Sequence, residues 1–245
     1  MPESTGTWVA GVDGCRAGWI TVLRNLSDPK DLKLQLFEHF ADLLSYRPEL
    51  KIIAVDMPIG LPDHLGPDGR GAEKAARKHL GLRQSSVFSV PSRAAVYEDD
   101  YRASCETSLK TSNPPRKVSK QCFYLFPKIR EIDGLMTPAL EERIHEVHPE
   151  LAFWRLNEEA EMSLPKKVKS RANPEGLDQR RDLLVSKGLP KPFLDQKPPR
   201  GCGRDDLLDA AANSLIAERI FNRQAEPFPE NYQRDGKGLR MAIWA

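Results

Sequence analysis

The sequence predicts an α/β fold, and three patterns along the chain support this prediction. Two short apolar runs with β-branched residues, at 8–12 and 19–22, flank a glycine-bounded turn, as is typical of a β-hairpin. Residues 52–55 are apolar throughout, which indicates a strand covered on both faces. Residues 205–221 have the spacing of a long helix. With 245 residues, 40% of them hydrophobic, the chain can bury a substantial core in one large domain or two small ones.

Charge and cysteine content say little about partners but bear on the compartment. The 37 Lys and Arg residues against 35 Asp and Glu leave a net charge of +2, so no global field indicates a nucleic-acid or membrane partner. No apolar run approaches the roughly 18 residues of a membrane span, and we expect no membrane partner. Residues 1–5 lack the basic and apolar regions of a signal peptide, and the four cysteines form no C-x-x-C pair. We therefore expect a cytoplasmic protein with reduced thiols.

Two of the predicted strands end in an aspartate. Asp13 closes the first run and precedes Gly14, where a ligand, metal or phosphate can approach the backbone closely. The alternative is that Asp13 only stabilises its own turn. After a half-exposed third strand at 32–37 and a short helix from Phe40, the strand at 52–55 leads into Asp56. Aspartate is also common before a proline turn, so the alternative for Asp56 is that it only begins the turn.

From about 61 to 142 the strand pattern disappears, and we interpret this segment as an insertion. It contains a predicted helix at 71–80, a loop at 85–93 and otherwise turns and irregular chain. Residues 109–130 carry six basic and no acidic residues, with aromatic residues between them. This composition suits a nucleic-acid strand and predicts a positive surface beside the site, whereas the alternative is a solvated face over a small core. The residues are Lys110, Arg116, Lys117, Lys120, Lys128 and Arg130, with Phe123, Tyr124 and Phe126.

The remaining chain is predicted to be mainly helical after one more strand. Glu146 and His148 lie two apart in that strand and therefore share a face, where they could share a site. A basic cluster follows, with Lys166, Lys167, Lys169 and Arg171. The expected elements are the strand at 144–149, helices at 150–157, around 180–185 and at 205–221, a proline-rich loop at 189–199, and an edge strand at 239–244.

The last helix carries a third acidic group. Asp205 suits the N-cap and Asp206 the helix dipole, whereas Asp209 lies one turn into the helix and faces either solvent or a site. Aspartates delivered by separate elements suit Mg²⁺ or Mn²⁺, because these cations prefer oxygen ligands and packed carboxylates repel without one. We expect the carboxylates of Asp13, Asp56 and Asp209 to converge in one metal shell. The sequence lacks the patterns of zinc clusters, P-loops and α/β-hydrolases.

Several motifs over roughly residues 8–222 carry a family resemblance. They are GVDGCRAGW at 11–19, DMPIGLP at 56–62, SSVF at 85–88 with Pro91 and Arg93, Ser119 with Gln121, Lys128-Ile129 with Asp133, EVHPE at 146–150 and DDLLDA at 205–210. They resemble the family called domain of unknown function 429, predicted nucleases of the ribonuclease H-like fold. The last third is also similar in layout to RuvC-type Holliday junction resolvases. The resemblance implies a single domain over 1–245, a mixed five-stranded sheet of order 3-2-1-4-5 with helices on both faces, the insertion at about 61–142 after strand 4, and a C-terminal extension at about 223–245.

The same resemblance implies an activity and roles for individual residues. The activity is hydrolysis of phosphodiester bonds in DNA or RNA at a two-metal carboxylate site that holds Mg²⁺ or Mn²⁺. Asp13, Asp56 and Asp209 are the implied metal ligands, with Asp206 as a fourth carboxylate and Glu146 as a supporting acid. The implied substrate-binding residues are Arg16, Arg93, Ser119, Gln121, His148, Lys166 and Lys167. A nucleotide-dependent phosphotransferase of the actin and sugar-kinase type and a non-catalytic nucleic-acid-binding protein stay open as alternatives, and a homodimer is left open too.

Overall fold

A mixed sheet of five strands forms the centre of the computed structural model, which describes residues 6–47, 49–169 and 171–245. The strands are β1 (Trp8–Cys15), β2 (Gly18–Asn25), β3 (Leu32–Phe37), β4 (Ile52–Val55) and β5 (Ile144–Glu146). Their order across the sheet is β3-β2-β1-β4-β5. Neighbours among β1, β2 and β3 pair antiparallel, whereas β4 and β5 run parallel to β1. The predicted α/β fold and strand order are confirmed.

Helices precede, connect and follow these strands. Before β5 they are α1 (Phe40–Tyr46), α2 (Ala72–Arg77), α3 (Arg93–Val96), α4 (Tyr101–Lys110) and α5 (Lys120–Leu135), with 3₁₀ turns at Gly81–Ser86 and Leu140–Glu142. After β5 they are α6 (Pro149–Leu156), α7 (Pro174–Ser186), α8 (Lys191–Leu194) and α9 (Arg204–Phe221). Two small hairpins complete the chain, β6 (Lys167–Val168) with β7 (Arg171–Ala172), and β8 (Pro227–Phe228) with β9 (Ile243–Trp244).

Helices cover both faces of the sheet, because alternate residues of a strand point to opposite sides. Ala10 and Val12 of β1 are buried in one core with α1 and α5. Val9 is buried in a second core with α6, α7 and α9. The residues of β4 alternate between the same two cores. This double burial explains why the sequence of β4 is apolar throughout.

Helix α9 crosses β1 at Gly11, where only a glycine fits. A Cβ atom at position 11 would lie 2.6 Å from the carbonyl carbon of Asn213 and would overlap the backbone of Ala210 and Ser214. The Nδ2 group of Asn213 donates a hydrogen bond to the carbonyl oxygen of Val12 at 3.0 Å. Backbone contact and hydrogen bond together fix the position of α9 relative to β1.

The insertion is more helical than we predicted. The helix expected at 71–80 is shorter, and the chain interpreted as irregular forms α4 and α5. In α5, Cys122, Phe126 and Ile129 fall at helical spacing and are buried in the first core. Pro127 obscured this pattern, because proline removes a backbone donor and normally interrupts a helix. Several apolar residues among the basic ones are therefore core residues.

Two expectations for the end of the chain were also wrong. The alternation over 239–244 does not add a strand to the main sheet, since only β9 is extended there and it pairs with β8. The alternating side chains of Leu239 and Met241 are buried in the interior instead. The helix expected around 180–185 is the longer α7, and the proline-rich loop contains α8. Both helices have a proline in their first turn, where the missing N–H donor costs nothing.

Two findings bear on the predicted compartment. No helix within residues 6–47, 49–169 and 171–245 is long and apolar enough to cross a lipid bilayer. The four cysteines carry free thiols. Residues 1–5, on which the expectation about a signal peptide was based, lie outside the described residues. Localisation in the cytoplasm itself stays a prediction.

Candidate active site

Parallel pairing of β1 and β4 brings Asp13 and Asp56 to the same edge of the sheet. Val12 pairs with Val55, and the backbone N–H of Asp56 donates to the carbonyl oxygen of Val12 at 3.0 Å. Parallel strands present their carboxyl ends on one edge, so the two aspartates are neighbours. Asp13 is buried and Asp56 is partly buried.

Helix α9 brings further aspartates to the same edge. Gly11 and Asp13 point to the face of the sheet that α9 covers, and Gly11 lies against Ala210. Asp13 lies two residues further along β1, and Asp206 and Asp209 lie within the preceding turn of α9. These three aspartates line the same cavity. The close approach at Gly11 therefore determines how near these carboxylates lie to one another.

The cavity at this edge has a volume of about 320 Å³, and seven acidic residues lie in its wall among apolar ones. Two lysine side chains, Lys166 and Lys167, bring positive charge to it. The acidic side chains outnumber them, so the cavity favours cations when its carboxyl groups are ionised. The acidic lining residues are Asp13, Asp56, Glu73, Glu146, Asp205, Asp206 and Asp209.

The two lysines pair with acids of α9. The Nζ group of Lys166 forms a salt bridge with Oδ2 of Asp209, and Lys167 pairs with Asp205 at 2.6 Å. The backbone around Lys166 is fixed, because its carbonyl oxygen accepts a hydrogen bond from the N–H of Asn173 at 2.9 Å. Lys166 thus stands at the base of the β6–β7 hairpin with its ammonium group against the acid cluster.

Burial and mutual repulsion raise the pKa values of the clustered aspartates. Burial raises the pKa of Asp13 well above its ordinary range, and the charges of Asp56 and Asp209 add to this. Burial also raises the pKa of Asp56 to about 7 and that of Asp209 to about 6, against the opposing charge of Lys166. Carboxylates with raised pKa values destabilise the folded state at neutral pH. Such perturbed pKa values are common at functional sites.

Glu146 lines the cavity but is held by an arginine that we had not predicted. Its carboxylate pairs with the buried guanidinium of Arg70 and accepts a hydrogen bond from the N–H of Ile59 at 2.8 Å. Arg70 also pairs with Glu73 at 2.7 Å. Burial raises the pKa of Glu146 to about 7 despite this partner. The feature of the sequence that could have drawn attention to Arg70 is the pair of flanking glycines. Gly69 and Gly71 both have positive φ angles, of 64° and 86°.

The chemistry of this cluster fits a hard divalent cation. Oxygen donors surround the cavity, and Oδ1 of Asp209 is buried without a hydrogen-bond partner within the part of the chain that the structure describes. The geometry is not that of a preformed site, because no group of three His, Cys, Asp or Glu side chains among the described residues is arranged to hold a metal. The expected single shell of Asp13, Asp56 and Asp209 is therefore not confirmed. Mg²⁺ commonly binds through one or two carboxylates, with waters and substrate oxygens as its other ligands.

Comparison with known proteins assigns the chain to a family. The family model described as "Protein of unknown function (DUF429)" matches residues 11–234. The chain belongs to the DUF429 family. This confirms the resemblance that the sequence motifs carry. Neither the curated proteins nor the solved structures contain a match.

The other residues of the DUF429 motifs are divided between the cavity and the scaffold. His148 and Gln121 line the cavity, and the Nδ1 atom of His148 accepts the N–H of Glu150 at 3.2 Å as the N-cap of α6. Ser119 caps α5, where its hydroxyl accepts the N–H of Cys122. Arg93 pairs with two buried acids, and Arg16 lies in a neighbouring cavity. The partners of Arg93 are Asp133 and Asp235.

The basic run of the insertion is partly used within the protein. Arg116 donates to the carbonyl oxygen of Pro67, Lys128 to that of Gly18, and Arg130 to that of Val96. The other three basic residues are exposed, at Lys110, Lys117 and Lys120. The positive surface that we expected beside the site therefore has fewer free charges than the sequence suggested.

Proposed function

We propose that this protein is a metal-dependent nuclease that hydrolyses phosphodiester bonds of DNA or RNA. The observation that carries the proposal is the meeting of aspartates from β1, the end of β4 and α9 around one cavity. This arrangement lowers stability, because burial and repulsion raise the pKa values of the carboxyl groups. A ligand that brings positive charge to the cavity offsets this cost.

In this proposal the acids hold the cation and the lysines hold the substrate. Asp13, Asp56 and Asp209 would bind Mg²⁺ or Mn²⁺. When bound, such cations activate a water molecule and stabilise the leaving oxygen of a phosphodiester. Lys166 and Lys167 offer ammonium groups to the flanking phosphates in exchange for their present acidic partners.

His148 contributes to the site as a neutral group in this proposal. Burial lowers its pKa to about 4, and the charge of Lys166 acts in the same direction. Its imidazole therefore carries no charge at neutral pH and fixes the start of α6 through the N–H of Glu150. Positive charge for a phosphate has to come from the lysines and from Arg16.

Two further expectations belong with this proposal. We propose that the protein acts in the cytoplasm, which the four free thiols support, because disulfides are rare in that compartment. We also propose nucleic acid as the partner. The homodimer stays a prediction, and light scattering of the purified protein tests it.

A cleavage panel tests the proposed activity. Labelled single-stranded DNA, single-stranded RNA, duplex, hybrid and branched substrates are incubated with the protein in Mg²⁺, in Mn²⁺ and in a chelator. We expect cleavage of at least one substrate that requires the cation and is lost in Asp13→Asn. The matched control is Asp182→Asn, which changes an exposed carboxylate of α7 with 65% exposure.

Three results would contradict the proposal. Cleavage of none of the substrates in either cation would refute it. Cleavage that survives the chelator or Asp13→Asn would show that the acid cluster is not the active site. Substrate binding by the unaltered protein without turnover would favour the non-catalytic alternative.

A further inference from the structure

A second cavity of about 760 Å³ adjoins the acidic one. The two cavities share Gly14, Leu125 and Asp206 in their walls and are therefore contiguous. The β1–β2 turn forms one wall of the second cavity and the outer side of α5 forms another. The volume lies in the range of about 300–1,000 Å³ that is common for ligand sites.

An exposed aromatic ring stands in the wall of this second cavity. Tyr124 is 76% exposed, although large aromatic side chains gain stability from burial. Its neighbour Phe123 packs against the core, and Phe126 belongs to it. Leu125 and Pro127 lie beside Tyr124 in the wall and widen the apolar surface. A planar base can stack on such a surface.

Within the described part of the chain, the charges around the second cavity leave one cation available, that of Arg16. Lys128 is occupied, because its Nζ group donates to the carbonyl oxygen of Gly18 at 2.6 Å. Glu131 is occupied as well, since its carboxylate accepts the Nε1–H of Trp19 at 3.0 Å. Arg16 is exposed in the β1–β2 turn, and within the described part of the chain its guanidinium forms no salt bridge. Arg16 is therefore the group that can take an anion.

We propose that the second cavity binds the nucleotide next to the cleaved linkage of a single-stranded nucleic acid. The ring of Tyr124 stacks on its base, and the guanidinium of Arg16 binds its phosphate. The single strand follows from the chemistry, because a duplex keeps its bases stacked on one another and offers no free base face. The position beside the linkage rests on the proposed nuclease function, whereas the binding itself does not require cleavage.

Fluorescence anisotropy of labelled oligonucleotides tests the binding. The probes are oligo(dT) and oligo(rU) of about twelve nucleotides, within the range of single-strand sites, and a blunt duplex of equal length. They are titrated with Asp13→Asn protein in Mg²⁺, so that no probe is consumed. The two single strands separate DNA from RNA as the source of the shared chemistry.

We expect each variant to change affinity in a defined way. Tyr124→Ala should weaken binding of a single strand by about 5- to 150-fold, and Tyr124→Phe should leave it unchanged, because stacking needs only the ring. Arg16→Ala should weaken binding and reduce the slope of log K against log salt by about 0.7. Glu38→Gln, which removes an exposed carboxylate from the wall, should strengthen binding. Tyr46→Ala, at a 48% exposed tyrosine of α1, is the matched control and should have no effect.

Three results would overturn the proposal. Unchanged affinity in Tyr124→Ala, or an equal loss in Tyr46→Ala, would refute the stacking platform. If Tyr124→Ala lost as much affinity for the duplex as for the single strands, the assignment to single strands would be refuted. If Tyr124→Ala weakens single-strand binding while the cleavage panel shows no activity, the site stands and the nuclease function fails.

Discussion

Replacing Lys166 by methionine tests whether a positive charge compensates for the buried acids. The substitution keeps a long apolar side chain and removes the ammonium group that pairs with Asp209. Removing one partner of a buried ion pair costs about 3–5 kcal/mol. The Lys166 side chain is 24% exposed, so the lower end of this range applies, and we expect a loss of about 3 kcal/mol in the free energy of unfolding at high pH.

The loss depends on pH, because Asp209 can take up a proton instead of staying unpaired. The pKa of Asp209 in the folded protein is raised to about 6 from an ordinary value of 3.8. A folded-state pKa above the unfolded one means that the carboxyl group reduces stability as pH rises from about 4 to 6. Without Lys166 the pKa of Asp209 in the folded state rises further. The variant therefore keeps losing stability above about pH 6, by about 1.4 kcal/mol for each pH unit, until the new pKa of Asp209 is reached.

Urea unfolding followed by tryptophan fluorescence measures this loss. We expect the variant to match the parent within about 0.5 kcal/mol near pH 5, where Asp209 is protonated in both proteins, and to fall behind by about 3 kcal/mol near pH 8. The control is Lys191→Met, which breaks an exposed i,i+4 pair with Asp195 and should leave the free energy of unfolding nearly unchanged at both pH values. Millimolar Mg²⁺ should raise the Tm of both proteins, and more in Lys166→Met, because the cation takes over the missing charge.

Two results would refute this reasoning. A loss that is the same near pH 5 and near pH 8 would mean that Lys166 contributes packing and not charge. A Tm that does not respond to Mg²⁺ or Mn²⁺ in either protein would mean that the acid cluster binds no divalent cation, and the proposed function would lose its support.

Three further predictions concern the scaffold of the site. Gly11→Ala should cost about 2 kcal/mol or more in urea unfolding, because its Cβ meets the backbone of α9, whereas the Cβ of Gly14→Ala meets only side-chain atoms, of Lys128 and Met57, and should cost less. Asp13→Asn should leave the metal-free protein at least as stable near pH 8, since it removes a carboxyl group whose pKa is raised, and should abolish the rise of Tm with Mg²⁺. The thiols of Cys15 and Cys202 lie 3.3 Å apart, so oxidised glutathione should link them in a disulfide, seen as a loss of two hydrogens in the mass spectrum and absent in Cys202→Ser.

The parts of the fold that local patterns encode could be predicted from the sequence. The apolar runs of β1 and β4, and the aspartates that end them, are continuous features of the chain, and the resemblance gave the order of the strands. The aspartates of α9 could be found as well, because their neighbours are the small residues of a buried helix. In each case the signal lies within a few residues of the feature that it predicts.

The partners of these acids could not be predicted in the same way. Arg70 meets Glu146 across 76 residues, and Lys166 meets Asp209 across 43. Nothing near either basic residue in the sequence indicates its partner, since the contact depends on how distant segments pack. For the same reason the composition of the basic run predicts a positive surface or a solvated face, and not that Arg130 donates to a carbonyl oxygen 34 residues away.

The packing of α9 against β1 determines how close the acidic groups of the site lie to one another. Gly11 allows the helix to approach β1 closely enough that Asp209 lies near Asp13. Burial raises the pKa of Asp13, and the charges of Asp56 and Asp209 add to this. A larger residue at position 11 would move the helix away and relieve the repulsion, at the expense of the packing. A fold selected for stability alone gains nothing from acids held this close, because Lys166 only partly compensates for them. The proposed cation, bound between the strand and the helix, would account for this close approach.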